Sequence, residues 1–392
     1  MEVDFYVSGD LTAGTLRGGE KHALHLAKAL LGRGYSIALV CRSAGDGVRH
    51  ATVEGLDVTA LPAAPLPRLR WRLGACATIA PLARQLRRHT RRPDAVLAFS
   101  PWLALAARRA RGDVPVVHIV TDLLAASEAF ERAGAFAFPK GSWLCLGLNA
   151  FVERRAYRRA ACSVVSSRWM ADGLAASGVL PDRLRMAYPG PATGARVDTM
   201  SCQEARRALG LPPDRLIVLG VGALTVRKNA RLLADAMGRT VADVRAVFVG
   251  DGPGRETLQR FCDQRGLADR VRFAGWVEDV RPWYAAGDVL CHTAPYETYG
   301  LVYAEAMAAG LAILGPRHAP PTVYSTAGEL IEDGREGLLY DATDAGALAA
   351  ALDRLADDPA VLAGMKLAAR RRSARFTWDR YADVVIEALA AV

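Results

Sequence analysis

Short apolar runs alternate with longer segments of helical periodicity along the first half of the chain. Seven of these runs predict strands, with the sequences VDFYVS, SIALVC, DVTALP, DAVLAFS, PVVHIVTD, CSVVSS and LRMAY. Between the first two, EKHALHLAKALLGRG has apolar residues at helical spacing and ends at Gly34, a residue type that often follows the last helical turn. Apolar strands separated by helices predict a parallel sheet covered by helices on both faces.

The second half of the chain repeats this alternation, with predicted strands LIVLGVGA, RAVFVGDG, VRFAGW, VLCHT, LAILGP and GLLY. Two such series predict an α/β protein with two doubly wound, Rossmann-like domains. A turn-rich stretch containing PGPATG and GLPPDR separates the two series. We therefore expect a first domain over 1–195, a linker over 196–214, a second domain over 215–375 and a last amphipathic helix over 376–392.

The composition is that of a folded, water-soluble protein. The chain has 392 residues, of which 51% are hydrophobic and 23% charged, and no apolar run approaches the roughly 18 residues that cross a bilayer. Its first residues, MEVDFYVSGD, are acidic and strand-like, unlike a signal peptide. The seven cysteines include no C-x-x-C pair, which favours a reducing compartment over disulfides or a zinc site. We expect a cytoplasmic protein.

The positive charge is concentrated in one segment. The net charge is +9, and eight arginines with no acidic residue lie between Arg68 and Arg92. The preferred interpretation is a solvated helix face with an adjoining loop. The alternative is a membrane-surface patch, because WRLGACATIAPLARQLRRH mixes apolar and basic positions. A nucleic-acid interface is disfavoured, because the cluster contains no aromatic residue beyond Trp71 and no recognised binding motif.

The candidate chemistry is concentrated in YETYGLVYAEAMAAG, where Glu297 follows a predicted strand and Glu305 lies within a predicted helix. Gly300 and Leu301 open that helix, so its free N–H groups can bind an anion. A carboxylate accepts hydrogen bonds from two hydroxyls at once. An anion site flanked by two carboxylates therefore suits a nucleotide-diphosphate sugar, which is anionic in the middle and rich in hydroxyls at both ends.

Three other segments follow strands of the second domain. VGALTVRKN supplies Arg227 and Lys228, which can neutralise a diphosphate. GDGPG marks a strand-to-helix turn that permits close backbone approach. GWVED, which contains Val277, can offer backbone polar groups to a nucleobase. Singly these motifs are weak, and their order along one chain makes the combination specific.

The chain resembles the retaining glycosyltransferases of family 4, which have the GT-B fold. The resemblance is carried by Glu297, seven intervening residues, Glu305 and the following AMAAG. RGGEKHALHLAKALLGRGYSIALV is similar to the first βα unit of that family, and FTWDRYA to its closing helix, which crosses back to the first domain. The resemblance covers nearly the whole chain and implies two Rossmann-like domains facing each other across a cleft.

The resemblance also implies roles for individual residues. Glu297 would hold hydroxyls of the transferred sugar, Glu305 would hold the ribose diol, and Lys228 with Arg227 would stabilise the diphosphate leaving group. Backbone N–H groups at the helix start would bind the β-phosphate, Val277 would lie near the base, and two N-terminal glycines would approach the donor phosphate. The implied donor-binding set is Gly18, Gly19, Arg227, Lys228, Val277, Glu297, Gly300, Leu301, Val302 and Glu305.

The chain departs from the family pattern at three places. Ala223 stands where the family often has an arginine, and Thr293-Ala294 replaces the usual Pro-Ser before the first motif glutamate. Thr121-Asp122 replaces a frequent His-Asp, which leaves Asp122 to orient the acceptor hydroxyl. The implied catalytic residues are therefore Glu297, Lys228 and Asp122.

The chemistry expected from the resemblance needs neither a metal nor a cofactor. No D-x-D motif occurs in the chain, which disfavours a metal-bridged donor. Retention of configuration would need no protein base, because the departing phosphate oxygen can take the acceptor proton. We expect His22 and His25 on a helix surface and His118 in the core, rather than as metal ligands.

The acceptor is predicted from acidic residues near strand ends of the first domain. These residues are Asp10, Glu20, Asp122, Glu128 and Glu131. Carboxylates favour an amine-bearing acceptor over a lipid phosphate, although an acid in a first helical turn, such as Glu20, also complements the helix dipole. We expect transfer of a hexose or amino-hexose from a UDP-sugar to a small polar acceptor, in the manner of the transferases that build aminoglycoside antibiotics.

Three alternatives remain open at this point. A membrane-associated family member would act on a lipid acceptor and dock through Arg68–Arg92. A non-catalytic nucleic-acid-binding protein is the second alternative, and only the positive charge suggests it. A nucleotide-sugar epimerase or a phosphorylase could use the same two-domain frame.

Overall fold

The computed structural model describes residues 1–7, 9–12, 16, 18–43, 45–62, 78–123, 143–192 and 200–392. These residues form two compact units. Unit 1 contains the described residues between Met1 and Ala192 together with Trp378–Val392, and unit 2 contains the described residues between Thr193 and Thr377. Each unit is a largely parallel sheet with helices, so the predicted pair of doubly wound α/β domains is confirmed.

Unit 1 is built on an eight-stranded sheet with the order β3-β4-β2-β1-β5-β6-β7-β8. Its strands are β1 Glu2–Tyr6, β2 Ser36–Ser43, β3 Arg49–Val53, β4 Leu56–Pro62, β5 Ala95–Ala98, β6 Val116–Ile119, β7 Cys162–Val165 and β8 Leu184–Met186. Its helices are α1 Gly18–Leu31, α2 Ile79–His89, α3 Pro101–Ala110, α4 Trp143–Arg159, α5 Arg168–Ala176, the 3₁₀ turn Pro181–Arg183 and the C-terminal helix Trp378–Ala390. All seven strands predicted for this half are present.

Strand β3 is an addition that the hydrophobic pattern does not predict. It pairs antiparallel with β4, whereas the other strand pairs in this sheet are parallel. The turn between β3 and β4 is Glu54-Gly55, and both residues have positive φ (50° and 81°), as in the tight turns that favour hairpins. Because β3 is an edge strand with largely exposed side chains, its sequence RHATV lacks an apolar run.

The C-terminal helix packs against α1, and this contact changes the environment of two histidines. His22 and His25 were expected on a helix surface, and for His22 that prediction is wrong. His22 is buried, with its ring centroid 5.0 Å from Phe99, 5.1 Å from Trp378 and 5.0 Å from Tyr381. His25 is half-buried, stacks on Trp378 at 5.1 Å and forms a 2.8 Å hydrogen bond from Nε2 to the Ala192 carbonyl.

Unit 2 is built on a six-stranded, all-parallel sheet with the order β11-β10-β9-β12-β13-β14. Its strands are β9 Leu216–Val221, β10 Val244–Val249, β11 Val271–Gly275, β12 Val289–Cys291, β13 Ala312–Pro316 and β14 Gly337–Tyr340. Its helices are α6 Cys202–Leu209, the 3₁₀ turn Val226–Lys228, α7 Ala230–Met237, α8 Arg255–Gln264, α9 Arg281–Ala286, α10 Leu301–Ala308, α11 Ala327–Leu330, α12 Ala345–Asp357 and α13 Pro359–Ser373. All six predicted strands are present.

The carboxyl ends of β9 and β10 are held together by glycine backbones. Gly250 has φ +141° and donates its N–H to the Gly275 carbonyl at 2.8 Å. A Cβ on Gly250 would overlap the backbone of Gly222. A Cβ on the next glycine of the same turn, Gly252, would likewise overlap the backbone of Leu224. The GDGPG turn is therefore needed for packing between two loops at the edge of the sheet.

The described helices include none that is both long and apolar enough to cross a membrane.

We expect Gly250→Ala to lower the free energy of unfolding by about 3 kcal/mol, because the new Cβ meets a backbone that cannot move and φ lies in a region unfavourable for alanine. Gly364→Ala is the matched control. Gly364 lies inside α13 with no heavy atom within 4 Å of the added Cβ, so alanine should be neutral or stabilising there. Urea unfolding followed by circular dichroism measures both, and equal midpoints for the two variants would contradict the packing role of Gly250.

Candidate active site

The strand order of unit 2 reverses between β9 and β12, which are neighbours in the sheet although β10 and β11 lie between them in the chain. Ligands of open parallel sheets bind at such a switch point, outside the carboxyl ends of the strands. The loop after β9 contains Lys228, and the loop after β12 contains Glu297. The structure therefore brings two predicted catalytic residues to one place in the sheet.

Lys228 and Glu297 form an ion pair between Nζ and Oε2. The same Oε2 lies 3.1 Å from Nε2 of His292, the first residue after β12. The Glu297 side chain is 10% exposed and the Lys228 side chain 25% exposed, so the pair is largely removed from bulk water. The sequence did not point to His292, which the structure places at the centre of the site.

The backbone around the ion pair is fixed by two further features. Thr293 donates its hydroxyl to the Lys228 carbonyl at 2.8 Å. Asn229 has φ +48°, a left-handed conformation that asparagine tolerates better than most residues, and it ends the 3₁₀ turn directly after Lys228. Thr293 occupies one of the two positions at which the chain departs from the family's Pro-Ser, and its hydroxyl holds the loop that carries Lys228.

The electrostatic environment keeps the carboxylate charged. Burial acts to raise the pKa of Glu297, but the Lys228 charge and the hydrogen bond from His292 outweigh it, so the pKa lies well below the ordinary value of 4.5. Burial lowers the pKa of His292, and the neighbouring Lys228 and Arg227 charges act in the same direction against the opposing effect of Glu297. At neutral pH the site contains a glutamate anion, a lysine cation and a neutral imidazole.

Helix α10 begins beside this group. Gly300 precedes it with φ +78°, and a Cβ there would crowd the Tyr303 ring and the Cγ of Glu297. Glycine is therefore required both by conformation and by packing. The described residues form no hydrogen bond to the N–H groups of Leu301 and Val302, which are half-buried. This helix start offers two donors to an anion, as the sequence predicts.

Glu305 lies in the second turn of α10 and is 7% exposed. Its Oε2 accepts a 2.7 Å hydrogen bond from the Tyr284 hydroxyl of α9. Burial, together with the Glu305 carboxylate, raises the pKa of Tyr284 far above its ordinary value, so this hydroxyl remains a donor. Tyr284 thus fixes the orientation of the second motif glutamate, which no sequence pattern indicated.

Two other predicted donor residues of unit 2 are more exposed than Glu297. Arg227 is exposed in the 3₁₀ turn next to Lys228, and Val277 is half-buried just after β11. Ala223, where the family often has an arginine, is also exposed in the loop after β9. The donor-binding roles of Arg227 and Val277 stay predictions.

The predicted site residues of unit 1 differ in their exposure and in their hydrogen bonds. Gly18 and Gly19 form the exposed start of α1, and a Cβ on Gly19 would meet no heavy atom within 4 Å. The Asp10 carboxylate accepts hydrogen bonds from Thr12 N at 2.9 Å and Thr12 Oγ1 at 2.6 Å, so it stabilises its own turn. Glu20 lies against the backbone of Gly9.

Asp122 is exposed after β6, and its Oδ1 accepts a 2.8 Å hydrogen bond from Leu123 N. Its carbonyl accepts a hydrogen bond from the Tyr157 hydroxyl at 3.1 Å, which anchors the loop to α4. His118 is 1% exposed in β6, as predicted, and burial lowers its pKa to about 3. Glu128 and Glu131 lie outside the described residues.

The arginine-rich segment is described only in part, because Arg68, Arg70 and Arg72 lie outside the described residues. Within α2, Leu82, Ala83 and Leu86 are buried. Arg84, Arg87 and Arg88 are exposed on the same helix, which fits the preferred interpretation of a solvated face. Among the described residues, no group of three or more histidine, cysteine, aspartate or glutamate side chains could hold a metal ion.

Two family models match the chain. A glycosyl transferase 4-like domain matches residues 17–190, and a glycosyl transferases group 1 domain matches residues 215–358. The D-inositol 3-phosphate glycosyltransferase of Xylanimonas cellulosilytica is 28% identical over 403 residues, covering 96% of this chain and 92% of that protein. The lipopolysaccharide core biosynthesis glycosyltransferase LpsE of Rhizobium meliloti is 26% identical over 344 residues, covering 87% and 86%.

Solved structures give the same fold. HepE of Anabaena in complex with UDP and glucose matches with a TM-score of 0.78 and 21% identity, and both chains are covered completely. Sucrose-phosphate synthase of Thermosynechococcus elongatus matches with a TM-score of 0.81 and 23% identity, again over both whole chains. The protein is thus an α/β transferase of the GT-B fold. More narrowly, it is a glycosyltransferase of family 4, as the sequence resemblance implied.

The lowered pKa of Glu297 predicts how the stability of the protein depends on pH. A folded-state pKa below the unfolded value of 4.5 means that the carboxylate stabilises the protein fully above pH 4.5, and that this contribution decreases as the pH falls below it. Glu297→Gln removes the charged hydrogen bonds and should cost about 2 kcal/mol at pH 7. The difference from wild type should shrink between about pH 4.5 and pH 3.

Thermal unfolding of wild type and Glu297→Gln across that pH range measures this difference. The control is Glu387→Gln, since Glu387 is exposed on the C-terminal helix and should show little difference at any pH. A Glu297→Gln difference that is the same at pH 3 and pH 7 would contradict the depressed pKa.

Proposed function

We propose that the protein is a retaining glycosyltransferase that moves a hexose or amino-hexose from a nucleotide-diphosphate sugar, preferably a UDP-sugar, to a small polar acceptor. The observation that carries this proposal is the buried group of Lys228, Glu297 and His292 beside the open N–H groups of Leu301 and Val302. A cation, an anion and two amide donors within one site match the parts of a sugar diphosphate. HepE, which has the same fold, was solved with UDP and with UDP-glucose.

In the proposed donor complex, the β-phosphate binds the N–H groups of Leu301 and Val302. Lys228, with Arg227, neutralises the charge that develops on the leaving diphosphate. The bond between the anomeric carbon and the phosphate oxygen breaks, and the acceptor oxygen bonds to the same face of that carbon. The acceptor proton passes to the departing phosphate oxygen, so the products are the glycoside and the nucleoside diphosphate.

The remaining residues position the two ends of the donor. Glu297 accepts hydrogen bonds from hydroxyls of the transferred sugar, and Glu305, oriented by Tyr284, accepts them from the ribose diol. Val277 contributes backbone polar groups to the base. Gly18 and Gly19 are proposed to approach the donor phosphate, because the exposed start of α1 leaves their backbones accessible.

For the acceptor we propose a cyclitol-type molecule that binds to unit 1, with Asp122 orienting its hydroxyl. Glu20 and Glu128 are further candidates. Asp10 is a weaker one, because Thr12 already occupies one of its carboxylate oxygens. The Xylanimonas relative is named for an inositol phosphate, which supports a cyclitol-type acceptor. The acidic residues of unit 1 favour an amine-bearing cyclitol.

A lipid-linked acceptor is the second candidate. The similarity to LpsE and the exposed arginines of α2 favour it, since such a face can lie on an anionic membrane. The epimerase and phosphorylase alternatives differ in their products, which a single chromatographic analysis separates. A nucleic-acid-binding role is set aside, because the chain is a transferase.

Two substitutions should affect different properties, one the turnover rate and the other the binding of the nucleotide. Lys228→Ala should lower the rate of nucleoside diphosphate release from the donor by about 100-fold or more, because Lys228 acts on charge that develops in the transition state. Glu305→Ala should chiefly raise the Kd of the free nucleoside diphosphate, by about tenfold. The control is Lys366→Ala, which removes a lysine paired with Asp288 at 2.8 Å in the same unit and should leave turnover unchanged.

Turnover is measured by coupled release of nucleoside diphosphate, and the Kd by calorimetry after a thermal-shift screen of UDP, GDP, ADP and dTDP with their glucose conjugates. Near-normal turnover in Lys228→Ala would remove that lysine from the mechanism. An unchanged nucleotide Kd in Glu305→Ala would contradict the ribose role.

Competition between acceptor classes tests the acceptor proposal. Inositol phosphates, amine-bearing cyclitols and lipid-linked acceptors are each incubated with the donor that the screen selects. We expect product with a soluble cyclitol and a loss of at least tenfold in kcat/KM when Asp122 is changed to Asn, because the carboxylate accepts the strongest hydrogen bonds. Product formed only with lipid-linked acceptors would replace this proposal with the membrane alternative.

A further inference from the structure

We propose that His292 is a positioning residue of the donor site, which holds Oε2 of Glu297 so that Oε1 alone is presented to the transferred sugar. The inference rests on the proposed function, because it concerns the same glutamate. Glu297 Oε2 contacts both Lys228 Nζ and His292 Nε2. The described residues form no hydrogen bond to Oε1, so the two oxygens of this carboxylate are not equivalent.

The hydrogen-bonding chemistry fixes the state of the imidazole. An ionised carboxylate only accepts hydrogen bonds, so Nε2 of His292 must carry the proton and donate it to Glu297. Burial and the neighbouring positive charges keep the ring neutral, because they lower its pKa. His292 therefore exists as the Nε2–H tautomer, which is the form that can restrain the carboxylate without adding charge to the site.

The imidazole is itself held rigidly. The backbone N–H of His292 donates to the Leu314 carbonyl at 2.9 Å, and its carbonyl accepts from the Tyr340 hydroxyl at 2.7 Å. The ring packs edge-on against Tyr303, with centroids 4.8 Å apart. Contacts with β13, β14 and α10 thus fix a donor against Glu297 before any ligand binds.

The next residue acts on the other member of the ion pair. Thr293 donates its hydroxyl to the Lys228 carbonyl at 2.8 Å, as described above. Two consecutive residues therefore fix the carboxylate of Glu297 and the backbone of Lys228. Restraining both groups in advance reduces the conformational freedom that donor binding must remove.

The other buried histidines show that packing alone does not explain this arrangement. His118 is buried in β6, and neither of its ring nitrogens has a hydrogen-bond partner within the described part of the chain. The Nε2 of His22 likewise has none there. His292 differs from both, because its Nε2 contacts a site carboxylate.

Two substitutions of similar shape separate positioning from packing. Gln places an N–H donor at the same number of bonds from the backbone as His Nε2, whereas Met fills similar volume without a donor. We expect His292→Met to lower kcat/KM for UDP-glucose hydrolysis by roughly 10- to 100-fold, because a hydrogen bond to a charged group is lost. The Kd of UDP should change by less than about twofold, and His292→Gln should recover most of the lost kcat/KM.

Equal impairment of the Met and Gln variants, or normal turnover in both, would overturn the inference. So would a rise in the UDP Kd as large as the loss in kcat/KM, since Glu297 is proposed to contact the sugar and not the nucleotide. A wild-type protein that binds none of the screened nucleotides or their sugars would instead contradict the proposed function.

A measurement on the wild-type protein keeps the inference testable if His292→Met does not fold. Long-range proton–nitrogen NMR correlations of the histidine rings, assigned with His292→Gln, report the tautomer directly. We expect a neutral Nε2–H ring at pH 7 whose Nε2 shift changes in Glu297→Gln. An Nδ1–H tautomer or a protonated ring at that pH would contradict the proposed contact.

Discussion

The ion pair between Lys228 and Glu297 is the interaction on which the site depends. It joins the loop after β9 to the loop after β12, at the point where the strand order of unit 2 reverses. Taking two charges out of water costs free energy that their attraction repays only when further hydrogen bonds satisfy them. The contact from His292 supplies such a bond, and the sheet supplies the rigid frame.

The backbone geometry around the ion pair follows from the same constraint. Gly300 must adopt positive φ so that the chain can turn from Glu297 into α10 while Tyr303 packs beneath it. Asn229 adopts the left-handed conformation on the other side, where the chain leaves Lys228. Lys228 thus precedes a turn in the loop after β9, and Glu297 precedes a turn in the loop after β12. Helix α10 begins beside Glu297, and its free amide donors lie at that end of the helix.

Much of this arrangement was predictable from the sequence, for identifiable physical reasons. The apolar runs of both halves predict thirteen strands correctly, because strands buried on both faces need continuous apolar sequence. Glu297 and Lys228 were both expected at the donor site, and each follows a strand of the parallel sheet of unit 2. Strand β3 was missed because an exposed edge strand needs no apolar run. His22 was misplaced because the helix that buries it lies at the far end of the chain, beyond the reach of local periodicity.

The role of His292 could not be predicted for a related reason. A histidine at the end of an apolar strand is compatible with core packing, as His118 shows, and only the three-dimensional contact with Glu297 distinguishes the two cases. Tyr284 and Thr293 are similar, since each acts through a single hydrogen bond to a residue distant in sequence. Sequence patterns identify the elements and the charged residues, whereas the contacts that orient those residues require the fold.

A crystal structure of the protein with UDP-glucose would test the central claim most directly. The claim predicts diphosphate oxygens within about 3 Å of the N–H groups of Leu301 and Val302 and of Lys228 Nζ, with a glucose hydroxyl on Oε1 of Glu297. Oε2 should still contact His292. A nucleotide bound away from the start of α10, or a sugar that leaves Glu297 without a hydroxyl partner, would contradict it.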